Sequence, residues 1–539
     1  MEARVAKIAI AAAAAVALAH ALWVSAVTDD AGISLAYARC LASGQGLRLT
    51  PLSPRVEAYS DPLWVLWLAL GYLLHIGGPA FARWSGALLA SAAVLVIGLV
   101  PSRDRQPRLY DALGPWLLAL DTTYTFWAGS GLESGAFALA LGLTMLTSSP
   151  IAAGLLAVLR PEGPLYIAAF ALLQPRRLRW LAIAALPIAC WVVFRRLYYA
   201  EWLPNSFFAK RHWDYGGFWY LNGWFLDALW HWALYLSPLA LIARSTRRAA
   251  MIALPGCAAA VAFILYSRGD WMGEHRFAAH ALPAAALAAG LVPPALQELF
   301  AHRDRDAGWL SAGLLLVLAA ISARVRSLDR KLNPELPLSY IAEQGRWFRK
   351  TADRLGLTSP RIAHFDIGGL ALESGGEVID LAGLGDLYIG RIGYQSQTAV
   401  RNYLFDEVKP EMLNIHGPCQ YLADDPRLKR DYWLSATGAW GENWVRKTLE
   451  LDGLDDRCPP RLPEDLLGAL EKSTAVGARD LWLCARAHLP EKSLPDVSPL
   501  ARKLAGAGTK EALDAAVTLD PDLATASKRL LELRLQSRK

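Results

Sequence analysis

Charge is scarce in this chain. Asp, Glu, Lys and Arg make up 19% of its 539 residues, where an ordinary soluble chain carries about 25%. The deficit is uneven: up to Ala323 the sequence is a series of apolar runs, and beyond it charge becomes ordinary. Cysteine is also sparse. There are six, with no CxxC pair, which argues against a cysteine zinc site. A continuous basic face is missing too. The net charge of +6 comes largely from arginines in short loops, so the electrostatic footprint of nucleic-acid binding is excluded. Heptads, short repeats and an inverted repeat of the kind many transporters carry are not evident.

What is present is apolar length. Mean hydropathy is +0.24, and the pattern predicts a transmembrane domain over residues 1–323 and a soluble domain over residues 324–539. The first run, Ile8 to Val27, follows Arg4 and Lys7 and is long enough to span. It reads as a retained helix rather than a cleaved signal peptide. Four short loops carry arginine clusters: Arg103, Arg105 and Arg108; Arg176, Arg177 and Arg179; Arg244, Arg247 and Arg248; Arg303 and Arg305. Such clusters mark cytoplasmic loops. The segments between them then cross out and back: Leu109–Phe126, Ser134–Leu146, Leu181–Leu197, Phe225–Ala243, Ala249–Tyr266, Phe277–Leu296 and Trp309–Ala323.

Two runs bend the scheme. Pro62 to Ile76 falls below the roughly 20 residues needed to span, so it is expected to lie in the outer interface while Phe81–Val100 crosses. Ile151 to Leu173 carries Arg160, Pro161 and Glu162 in its middle and is expected to be a hairpin with its tip outward. The expectation is a polytopic α-helical membrane protein of about eleven membrane helices, in a cell membrane. Its N-terminus is cytoplasmic and its C-terminal domain extracytoplasmic. That domain reads as a small α/β core to about residue 460, with strands at Arg361–Phe365 and Glu377–Asp380, and as helical after it. There Asp465–Lys472, Ala478–His488 and Lys510–Leu535 are helical, the last interrupted at Asp520 and Pro521. Cys190 and Cys257, inside apolar runs, are expected to be buried thiols. Outside the cell, two of Cys419, Cys458 and Cys484 can pair.

On this topology the unusual polar residues gather on the outer side. They are Asp29 and Asp30; Glu57 and Asp61; Trp127 and Glu133; Arg160 and Glu162; Asn205 and Lys210; and Arg268, Asp270, Trp271, His275 and Arg276. Each has a plain structural reading. Asp29 and Asp30 suit a solvated helix end, Arg160 and Glu162 suit a mutual pair, and the aromatics suit the headgroup level. Their convergence on one face is what points to chemistry, because charge is costly inside a membrane domain. Arg and Lys can hold a lipid phosphate. A carboxylate beside them can take a proton from an attacking hydroxyl, and Trp127 and Trp271 can stack on a sugar. No spacing demands a metal. The wealth of acids leaves room for a divalent cation and names no cofactor.

The same residues resemble the GT-C superfamily of polyprenyl-phosphate-sugar glycosyltransferases, and within it the mycobacterial terminal β-arabinofuranosyltransferase group. The resemblance lies in Asp29–Arg39 with Gly44–Leu47, in Val56–Trp64, in Gly131–Glu133, in Arg160–Gly163, in Pro204–Phe207, and in Gly269–Met272 with Arg276 and Phe277. In the soluble part it includes Asp366–Gly368 and Val378–Leu384. It implies an extracytoplasmic site with an Asp of the first outer loop as general base, here Asp30 or Asp29, and inverting transfer. Asp61 stands where the pattern tends to have Asn. The expected partners are a polyprenyl-phosphate sugar donor, an extracytoplasmic glycan, lipid or protein acceptor of the cell envelope, and membrane lipids. Glu57 and Asp61 would orient the acceptor or base. Arg160, Lys210, Arg268 and Arg276 would face the phosphate. Trp127, Asp270 and Trp271 would line the sugar site. The rival from another class is a flippase of lipid-linked sugars, which should show charges at several depths and related halves. A scaffold that binds such lipids without turning them over is the third reading.

Overall fold

Among the residues that the computed structural model describes, six helices are long and apolar enough to cross a bilayer: Glu2–Val24, Pro79–Leu99, Arg177–Tyr198, Arg247–Ser267, Leu282–Phe300 and Ala307–Leu332. Shorter apolar helices accompany them at Pro62–Leu73, Leu109–Leu120, Ser134–Thr147 and Pro150–Leu159. The structure describes residues 1–211, 214–300, 306–393, 395–438, 440–447, 459, 462–489 and 493–536. Arg303, Arg305 and Cys458 lie outside them. Large apolar side chains stand exposed along these helices, among them Leu178, Leu186, Val193 and Leu197 on one span. Only lipid suits such a surface; the chain is a multi-pass membrane protein.

The chain divides into two units. The first comprises Met1–Ala31, Ser60–Trp191 and Trp213–Pro337; the second comprises Gly32–Tyr59, Val192–His212 and Leu338–Lys539.

In the first unit, small residues let helices close in. A Cβ on Gly135 would lie 2.0 Å from the Gly86 carbonyl oxygen, and one on Gly86 would lie 2.4 Å from that of Ala128. Helices Pro79–Leu99 and Ser134–Thr147 therefore cross at backbone contact, as small-residue seams allow in membranes. The helix Pro62–Leu73 has 12 residues. At 1.5 Å per residue it reaches about 18 Å, too short for a hydrocarbon core of about 30 Å. Polar breaks divide other runs. Asp121 ends one helix and caps the next by accepting from Tyr124 N at 2.9 Å, so Leu109–Phe126 is not a single rod. The run Ile151–Leu173 breaks at Arg160 into helices Pro150–Leu159 and Gly163–Ala171. Two expectations need correction. Phe225–Ala243 is not a spanning α-helix: Gly217–Asp227 is α-helical, and Leu229–Leu241, which holds Pro238, is 3₁₀. Proline removes a backbone donor there. Cys190 is exposed rather than buried, because its helix turns that position outward, and Cys257 is half-buried.

The second unit is built on a five-stranded sheet in the order β2-β1-β3-β5-β4. The strands are β1 Arg361–His364, β2 Glu377–Asp380, β3 Met412–Ile415, β4 Tyr432–Gly438 and β5 Gly441–Arg446. The first three are parallel; β5 runs antiparallel to β3 and β4. Leu404, Leu413, Leu422 and Leu428 fill the core beside it, and Leu531 from the C-terminal helices joins them. Those helices are Leu466–Lys472, Ala475–His488, Ser498–Ala507, Lys510–Leu519 and Ala524–Gln536. The first-loop segment belongs to this unit: Arg39 donates to the carbonyls of Ala371 and Leu372 at 2.9 and 2.8 Å. Cys419 is a free buried thiol, and Cys484 is disulfide-bonded.

Arg361 opens β1 and is buried against Glu411, which precedes β3. Its Nη2 donates to Glu411 Oε1 at 2.6 Å and to the Lys409 carbonyl at 3.0 Å, and its backbone N donates to Glu411 Oε2 at 2.7 Å. Removing one partner of a buried pair leaves an uncompensated charge, at a cost of about 3–5 kcal/mol. Glu411→Ala is expected to lower the unfolding midpoint of this unit accordingly, with the loss of β-sheet signal in circular dichroism as the readout. An unchanged midpoint counts against the pair as a tie between strands.

Candidate functional site

The buried charges of the first unit converge on Phe277. The guanidinium carbons of Arg160 and Arg276 each lie 5.6 Å from its ring centre. Arg160 sits in the break between two short helices. Its Nη1 donates to Glu133 Oε1 at 2.6 Å and its Nε to Glu162 Oε1 at 3.0 Å. His280 Nδ1 lies 2.9 Å from the same Glu162 oxygen, and its Nε2 is 3.2 Å from Ser134 Oγ. Arg276 begins a short helix after a turn in which Glu274 and His275 both take positive φ. Its Nε donates to Asp270 Oδ2 at 2.6 Å and its Nη1 to Asp30 Oδ2 at 2.5 Å. Trp127 lies 5.9 Å from the same guanidinium and donates its indole N–H to the Glu274 carbonyl at 2.8 Å.

Exposure sorts these carboxylates. The side chains of Glu133, Glu162 and Asp270 are 1–3% exposed, and that of Asp30 is 24% exposed. Asp29 is buried at 2%, and its backbone N donates to the Leu336 carbonyl at 3.0 Å. Of the two aspartates, Asp30 is the more exposed.

Seven of the residues singled out in the sequence thus share one cluster: Asp30, Trp127, Glu133, Arg160, Glu162, Asp270 and Arg276. Asp61 is buried at the start of the helix Pro62–Leu73. Arg268 is exposed and pairs with Asp214 at 3.1 Å. Trp271 is 39% exposed. His275 pairs through Nδ1 with Asp227 at 2.5 Å. Glu57, Asn205 and Lys210 belong to the second unit. There Glu57 takes a bidentate grip from Arg195, one contact being 3.1 Å. Asn205 donates to the carbonyls of Gly383, Leu384 and Asp386 at 2.9–3.0 Å, so its amide brackets a turn of the sheet domain. Lys210 ends the helix Asn205–Lys210, half-buried.

Solved structures share this architecture. ArnT from Cupriavidus metallidurans in the apo state matches at a TM-score of 0.51 and 15% identity, over 83% of this chain and 98% of that one. ArnT bound to undecaprenyl phosphate matches at the same score and identity, over 84% of this chain and 99% of that one. The chain has an ArnT-like fold. No protein-family model matches the chain, and no curated protein does. The likeness to ArnT does not reach the arabinofuranosyltransferase group.

Within this ArnT-like fold, sequence reasoning missed several charged partners. His280 lies in an alanine-rich run that reads as plain span. Arg326 and Arg330 recur one helical turn apart near the end of Ala307–Leu332 and both reach Glu274, at 2.7 and 3.0 Å. Arginine inside an apolar helix was the available signal. Asp121 meets His231 Nε2 and Trp230 Nε1, each at 3.2 Å, and only tertiary packing brings those three together.

Arg160 is the neutralising centre for Glu133 and Glu162. Arg160→Met is expected to destabilise the membrane unit by about 3–5 kcal/mol by stranding two buried carboxylates, seen as a lower melting temperature in detergent. Adding Glu133→Gln and Glu162→Gln to that chain should recover part of the loss. If the triple variant melts no higher than the single one, charge matching is not what Arg160 supplies.

Proposed function

We propose that this protein is a membrane glycosyltransferase, transferring a sugar from a polyprenyl-phosphate donor to an extracytoplasmic glycan, lipid or protein acceptor. The observation that carries the reading is Arg276, held between the buried Asp270 and the more exposed Asp30, in a fold shared with an ArnT bound to undecaprenyl phosphate. Arginine offers a phosphate two parallel donors. A donor phosphate that takes Arg276 draws it from Asp30, whose carboxylate accepts the proton of the acceptor hydroxyl. The new glycosidic C–O bond forms as the sugar–phosphate bond breaks with inversion. The bonding pair leaves on the polyprenyl phosphate, where Arg276 meets the developing charge.

Asp29 is the second candidate for the base, and Glu57 and Asp61 the candidates for orienting the acceptor. Residues 324–539 are read as an extracytoplasmic domain, on the arginine distribution of the loops. The motif order in the sequence makes arabinofuranosyl donors of cell-envelope synthesis the first to offer.

Purified protein in lipid vesicles, offered a panel of polyprenyl-phosphate sugars and glycan acceptors, tests this. Asp30→Asn is expected to lower kcat by about 10²–10⁴-fold with donor affinity retained. Asp29→Asn should lower it less. Wild-type protein that moves labelled lipid across the bilayer and glycosylates no acceptor would replace this reading with the flippase.

A further inference from the structure

The parallel part of the sheet carries a second constellation, independent of the Phe277 cluster. The chain runs from β1 to its neighbour β2 and then returns across β1 to β3. The order 2-1-3 places a topological switch point between β1 and β3, and the carboxyl ends of strands at such a point are where open α/β sheets bind ligands. His364 ends β1, Asp366 lies two residues beyond it, and His416 follows the last residue of β3. One ligand-type atom from each lies within 4.8 Å of the others. Three ligands about 2.1 Å from one cation lie roughly 3–4 Å apart, so small side-chain shifts suffice.

The surroundings of His416 favour a cation. Asn414 donates its amide to the Trp440 carbonyl at 2.9 Å and to Asn443 Oδ1 at 2.8 Å. Its own Oδ1 therefore accepts, and the partner is His416 Nδ1. A histidine that donates one ring N–H to an oxygen offers the other nitrogen to a metal. That other nitrogen, Nε2, is 2.8 Å from Asp366 Oδ2. Two lone pairs face each other there unless a proton or a cation intervenes. His364 is fully buried, and its Nε2 has no hydrogen-bond partner. Its Nδ1 accepts only from the Asp366 backbone N at 2.9 Å, so turning the ring toward a cation forfeits one hydrogen bond. The side chains of His416 and Asp366 are 14% and 12% exposed, enough for an ion to enter and for water to complete its coordination.

We propose that the sheet domain binds one divalent transition-metal ion of the zinc class through His364, Asp366 and His416, with an open coordination position. Two imidazoles and one carboxylate form a donor set that zinc accepts in open sites. Spacing alone conceals it, because the ligands come from two strands whose residues Asp366 and His416 are 50 positions apart.

The test is metal binding by the untagged full chain in detergent, stripped with chelator. Isothermal titration with Zn²⁺ should give one site per chain, and Co²⁺ should give a ligand-field absorption band of low coordination number. His416→Ala and Asp366→Asn should each abolish the stoichiometric site. Asn414→Leu, which removes only the orienting acceptor, should weaken it by about 10–100-fold. Circular dichroism of each variant shows whether the sheet persists; a variant that loses it is replaced by His416→Gln. Absence of stoichiometric Zn²⁺ binding, or binding untouched by substitutions in a folded sheet, overturns the proposal and leaves a His416–Asp366 ion pair.

Discussion

An arginine inside an apolar helix bundle must be matched where it stands, since lipid and packed alanine offer no counter-charge. Arg160 and Arg276 flank Phe277 and draw Glu133, Glu162, Asp30 and Asp270 to them. That demand fixes local backbone. The break between helices Pro150–Leu159 and Gly163–Ala171 aims Arg160 at two carboxylates. The positive-φ turn at Glu274 and His275 starts the short helix that carries Arg276. Gly163 makes the first of these workable: a Cβ there would lie 2.3 Å from the Leu156 carbonyl carbon. The same need for matching explains Glu274, which collects Arg326 and Arg330 from a long helix.

Much of this was legible in the sequence, for a physical reason. Polar residues that interrupt apolar runs are expensive, so they stand out without an alignment, and Arg160, Glu162, Asp270 and Arg276 were found that way. The short run at Pro62 and the hairpin break at Arg160 followed from length and charge alone. Partner choice was not legible. Arg160 and Arg268 read alike as loop-side cations, yet one is buried between two carboxylates and the other pairs with Asp214 in the open. Asn205 read as part of a substrate motif, and its amide serves three backbone carbonyls of the sheet domain.

The sheet domain shows a different limit. Strands β1 and β2 announce themselves as short apolar runs before a turn. Strand β3 is as short, and β4 is largely exposed, so neither has the alternation that marks a half-buried strand. The turn after β2 is held by Asp380, which accepts from the backbone N–H groups of Ala382, Gly383 and Gly385. Burial pushes this carboxyl up to about 7 against the pull of those three donors. Aspartate there reads as a family motif residue in the sequence, and in the structure it is the clasp of a tight turn.

Charge balance around Phe277 bears on how such a site can work. Two guanidiniums face four carboxylates, and three of those carboxylates are almost wholly buried. An incoming phosphate would add negative charge to a cluster already in excess of it. Of the four carboxylates, Asp30 has the most access to solvent, and it pairs with the same arginine that a phosphate would use. Asp29 is buried at 2%, and the proposed order of the two candidate bases rests on that difference in exposure.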